Sequence, residues 1–150
     1  MADEFIEEFK TLLHGEIGAV ETYDIAMKSA KNSEVLRTLE QAKQTHIDRV
    51  ESLRQHVITA GGVPDESSGF WGPFEKFVQS SAKNEHDAVA MLEEAEAERL
   101  VNYEEQGEIV MGPVKDAIKS ELLPKQHESH LLLASLLKTL SPEPEKKRGS

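Results

Sequence analysis

The sequence has no cysteine, only 5% aromatic residues, and no long uncharged apolar run among its 150 residues. Without thiols there is no disulfide framework, no thiol nucleophile and no thiolate-bound zinc or iron–sulfur centre, so any metal must sit on oxygen and nitrogen. No stretch approaches the roughly 20 apolar residues of a membrane span. The N-terminal Met1-Ala2-Asp3-Glu4-Phe5-Ile6 carries neither a basic region nor an apolar signal core, so the expected location is the cytoplasm. Positive charge is also scarce: 17 Lys and Arg stand against 28 Asp and Glu, a formal charge of −11. A basic face able to displace counterions from nucleic acid is therefore not expected.

What is present is enough for one domain. A chain of this length removes roughly 68–70% of its unfolded surface from water and needs no staple to fold, so a polar residue placed in its core requires a reason of its own. Four stretches carry a 3.6-residue apolar period and none shows the alternation of a strand, which predicts an all-α fold. The first helix runs from about Asp3 to Ala30 with Phe5, Phe9, Leu12, Leu13, Val20, Tyr23 and Met27 as its stripe. Ser33 is a candidate N-cap for the second, which carries Val35, Leu39, Ala42, Val50, Leu53 and Val57 and stops at Gly61-Gly62.

The connection that follows is long, Gly- and Pro-rich, with about two helical turns expected from Pro73 to Gln79 and the cluster Phe70-Trp71-Gly72-Pro73 expected to pin it to the bundle. A dozen extended residues at about 3.3 Å each can travel the length of a long helix, so helices two and three are expected to be parallel. The third helix spans roughly Asn84 to Val110. Gly112-Pro113 separates it from a fourth that ends near Leu140, with a kink expected where Pro124 frees the Ser120 carbonyl. Residues 1–140 form the domain in this reading, and 141–150 a disordered tail.

Helical wheels place polar residues on the apolar faces. Glu16 lies at the centre of the first stripe, His46 at the centre of the second with Lys43 and Arg49 at its shoulders, and Glu96 at the centre of the third, flanked by Glu93 and Arg99. On the fourth, His127 and His130 straddle the direction set by Leu123, Leu131, Ala134 and Leu137. An unpaired buried carboxylate or imidazolium costs several kcal/mol, so such a cluster persists only if its members neutralise one another or share a cation. Carboxylate oxygens with imidazole nitrogens suit iron, manganese or zinc. Tyr23 and Tyr103, seven residues beyond Glu16 and Glu96, read as core packing rather than as hydrogen-bond donors to the site or electron relays.

This pattern resembles the ferritin-like superfamily, in particular rubrerythrin-like domains and a family of small bacterial bundle proteins. The segments Leu13-His14-Gly15-Glu16-Ile17-Gly18 and Val57-Ile58-Thr59-Ala60-Gly61-Gly62-Val63-Pro64 carry the likeness to the latter. The resemblance implies a four-helix bundle with one long crossover and a carboxylate–histidine site for one or two iron ions, with manganese or zinc as alternatives. Its ligands would be Glu16, His46, Glu93, Glu96, His127 and His130. The chemistry implied is ferrous-iron oxidation or reduction of peroxide or dioxygen, drawing on an external electron donor because no rubredoxin-type module can be built without cysteine.

Two positions depart from the superfamily pattern. Lys43 stands where a bridging glutamate belongs, and His127 replaces the glutamate of helix four. The alternative reading is therefore a metal-free interaction or stress-related bundle in which Lys43 enters a Lys–Glu–His network; Lys43 could also snorkel outward along its stem. A monomer or homodimer is expected in either case.

Overall fold

The computed structural model describes residues 2–67 and 84–140, and these form an all-α four-helix bundle; no strand occurs among the described residues. Helices α1 (Ala2–Ser29) and α2 (Ser33–Thr59) make an antiparallel hairpin, followed by α3 (Glu85–Ile109). The fourth rod is composite: α4 (Gly112–Ala117), a π-helical turn over Ile118–Leu122, and α5 (Leu123–Thr139). No described helix is long and apolar enough to cross a membrane. The expected tail and the expected helix from Pro73 to Gln79, with its Phe70–Trp71 cluster, lie outside the described residues.

The cap of α2 is one residue earlier than the sequence pattern indicated. Asn32, in an extended conformation, accepts from the backbone N–H groups of Glu34 at 2.7 Å and Val35 at 3.2 Å. Asn and Ser cap helices about equally well. Glu85 decides between them, because its carboxylate takes the N–H groups of Lys31 and Asn32 and holds the turn. The same contacts put the start of α3 beside the start of α2, so the two helices run parallel, as expected.

At the other end α2 stops as its glycines predict. Gly61 takes φ +100°, a conformation that L side chains rarely adopt, and the Gly62 N–H closes on the Val57 carbonyl at 2.9 Å while Gly61 closes on Ile58.

Pro124 enters the fourth rod directly after the π-helical turn. Proline lacks an N–H and its ring collides with the carbonyl four residues back. Widening the preceding turn relieves this, and the Leu123 N–H reaches five residues back to Ile118.

The apolar core comes in two blocks. Phe9, Leu13, Leu53, Val57, Val114, Ile118 and Leu122 fill one end. Ala26, Val35, Leu39, Val89, Leu92, Leu133 and Leu136 fill the other. Each of the four rods contributes to both blocks and crosses a polar layer between them.

Candidate functional site

That layer comprises Glu16, Thr45, His46, Arg49, Glu96, Gln126 and Ser129, all buried, with Glu16 and His46 fully excluded from solvent. The wheels placed Glu16, His46 and Glu96 at the centres of their apolar stripes, and these three meet. His46 lies between the two carboxylates, with Nδ1 at 2.6 Å from Glu16 Oε1 and Nε2 at 2.7 Å from Glu96 Oε2.

Arg49 completes the layer. Its guanidinium donates to Glu16 Oε2 at 3.4 Å, to the Thr45 hydroxyl at 2.9 Å and carbonyl at 3.1 Å, to Ser129 Oγ at 3.0 Å, and to the Gln126 side-chain oxygen. Gln126 donates to Glu96 Oε1 at 2.7 Å and to the Glu96 carbonyl at 2.8 Å, and Ser129 donates to Glu96 Oε1 at 2.7 Å. The tyrosines do more than pack. Tyr23 donates its hydroxyl proton to Glu96 Oε2 at 2.5 Å, and Tyr103 donates to Glu16 Oε2. Each of the four carboxylate oxygens thus has a donor, and no buried side-chain polar atom among the described residues lacks a partner.

The electrostatics follow from this geometry. Burial pushes the Glu16 carboxyl upward, but Arg49 and His46 outweigh it and hold the group well below the usual carboxylate range. Glu96 is likewise raised by burial and then lowered to about 2 by His46, Tyr23 and Ser129. The two tyrosines shift the other way, because burial and the adjacent carboxylates disfavour a phenolate.

The remaining expected site residues lie apart from this cluster. Glu93 and His130 pair with each other at 3.0 Å, both partly exposed at 26% and 28%. His127 is exposed and points away from the layer. The fourth rod turns Gln126 and Ser129 inward instead, one residue out of register with the wheel, and Leu131 of the assumed stripe is 66% exposed. Lys43 touches neither core glutamate; it snorkels outward to Asp24 at 2.6 Å, and that partner holds its pKa above the usual lysine value. The cation beside Glu16 is Arg49, which the wheel had left on a shoulder. Among the described residues no group of three or more His, Asp or Glu is disposed to hold a metal ion.

Fold and site together define an all-helical bundle with an ionised, internally satisfied layer at mid-height. The chain belongs to the family described as Domain of unknown function (DUF2383), whose profile matches residues 4–108. No curated protein and no solved structure matches it. The matched region carries both carboxylates, His46, Arg49 and both tyrosines, whereas Gln126 and Ser129 fall outside it.

Proposed function

We propose that this chain is a ferritin-like bundle that works without a metal centre, as a non-enzymatic binding module whose core ion network stands where a di-iron site would be. The observation that carries the reading is His46, bonded through both ring nitrogens to Glu16 and Glu96. A transition metal needs an imidazole lone pair, and in this arrangement each ring nitrogen is already engaged by a carboxylate. The carboxylate oxygens are engaged by Tyr23, Tyr103, Arg49, Gln126 and Ser129. The residues present therefore do not fit a transition-metal ion. The guanidinium groups of Arg49 and Arg99 already supply positive charge beside the two carboxylates.

The test is metal content after expression with iron, manganese or zinc. Stoichiometry near zero, unchanged in Glu16→Gln, is expected; close to one ion per chain, lost in that variant, overturns the reading.

A second reading, a metal-loaded oxidoreductase, draws on the convergence of Glu16, His46 and Glu96 from three helices. It requires Arg49 to be displaced and His46 to lose both carboxylate contacts, so it predicts that chelators lower Tm. The metal-free reading predicts that they leave it unchanged.

A further inference from the structure

Between α1 and α3 the side chains facing each other are short, with Gly15 on one helix and Ala95 on the other, and a cavity of ≈ 270 Å³ opens there. Arg99 reaches across this gap. A Cβ on Gly15 would lie 3.1 Å from Arg99 Nη1, so the missing side chain makes room for the guanidinium. Arg99 is attracted by the Glu16 carboxylate and lines the groove together with Tyr103, whose hydroxyl proton goes to Glu16, so the groove lies directly over the polar layer.

Arg99 stands at the edge of the layer, attracted by the carboxylates of Glu16 and Glu96, and its side chain is only partly buried at the mouth of the groove. Around it the groove presents hydrogen-bonding groups from Thr11, Asn102 and Gln106, and one carboxylate, that of exposed Glu98. A planar guanidinium with five donors in a fixed fork matches a carboxylate bidentately. At about 30 Å³ of liquid volume per water, the cavity has room for roughly nine waters, hence for a molecule of about that many non-hydrogen atoms.

We propose that the α1–α3 groove binds a small organic carboxylate, anchored on Arg99 and positioned by Asn102, Gln106 and Thr11. The proposal takes the layer as metal-free; the groove geometry does not depend on that reading. Glu98 at the rim weakens binding of multiply charged anions, so a monocarboxylate is favoured over phosphate or sulfate.

The test is a titration of the full chain with acetate, propionate and phosphate, followed through the Arg99 side-chain resonances and by calorimetry. Saturable binding of the monocarboxylates is expected, with phosphate weaker. Arg99→Gln should weaken binding at least tenfold, and Glu98→Gln should strengthen binding of phosphate. Gly15→Ala crowds the guanidinium while improving helix propensity, so it should weaken binding with Tm kept or raised, which separates loss of the site from loss of the fold. Failure of the monocarboxylates to shift Arg99 saturably overturns the proposal whatever the metal content, as does binding that survives Arg99→Gln unchanged. Metal found in the core overturns the functional reading above and leaves this titration to decide the groove independently.

Discussion

The chain contains two kinds of carboxylate–histidine contact, and they differ in almost everything except chemistry. His46 is fully buried, bonded at both nitrogens, and its carboxylate partners carry further donors from four helices. His130 makes one 3.0 Å contact to Glu93 on a partly exposed face. The first is a closed network in which removing any member leaves a charge stranded in a dry interior. The second is an ordinary surface pair whose partners recover water when separated. Breaking a buried pair typically costs about 3–5 kcal/mol, whereas exposed pairs contribute about 0–1 kcal/mol. The same two residue types are thus expected to span nearly the full range of single-substitution effects.

The sharpest break is His46→Leu, which keeps the volume roughly but leaves Glu16 and Glu96 without their shared donor. A loss of about 5 kcal/mol in denaturant unfolding is expected, at the upper end of the range for a stranded buried charge. Arg49→Met comes next at about 3 kcal/mol, because Glu16 retains His46 and Tyr103 but loses its guanidinium. Lys43→Met is the control. Lys43 is paired with a half-exposed Asp24, so a change below about 1 kcal/mol is expected. If Lys43→Met proves as damaging as Arg49→Met, the assignment of Arg49 as the core cation fails.

Acid should affect the two regions differently as well. Glu16 and Glu96 ionise more readily in the folded chain than in the unfolded one, so their contribution is fully present above the ordinary carboxylate value of 4.5 and is lost as pH falls. For Glu96 the loss is complete only near its folded value of about 2. Chemical denaturation at successive pH values should show stability declining from about pH 5 towards pH 2, with the decline reduced in Glu96→Gln. A flat profile over that window would remove the argument that both carboxyls are ionised in the core. Tyr23→Phe and Tyr103→Phe each delete one hydrogen bond to a charged group, worth about 1.5–3 kcal/mol, without adding or removing charge.

Much of this was legible in the sequence, for a definable reason. Where a helix is mostly apolar on one face, a lone acid or imidazole at the centre of that face has nowhere else to go. That logic located Glu16, His46 and Glu96, and the glycines at 61 and 62 together with the length of the connection after them gave the parallel course of α2 and α3. It failed on the fourth rod, where Leu131, Leu132 and Leu133 are consecutive and give no single direction, and the inward residues Gln126 and Ser129 are themselves polar. With the stripe misplaced by one residue, His127 was expected to face the core and His130 to join the cluster. Arg49 was missed for a different reason. A wheel registers where Cβ points, and a long guanidinium on a shoulder can turn inward to a carboxylate just as Lys43, at the opposite shoulder, turns outward to Asp24. The donor role of the tyrosines depends on hydroxyl reach across helices, which no single-helix pattern contains.

The smallest effect tests the outer pair itself. His130→Ala removes a single contact between side chains that are 28% and 26% exposed, and Glu93 then regains water on the face it already shows. A change below about 1 kcal/mol is expected, screened further by salt. The measurement matters beyond its size because Glu93 and His130 were both expected as ligands of a shared metal. If iron, manganese or zinc raises the Tm of the unaltered chain and His130→Ala abolishes that rise, the outer pair and the buried layer act as one metal-dependent unit. If the variant melts like the parent with and without metal, the two regions are independent and the contrast in burial alone accounts for their different worth.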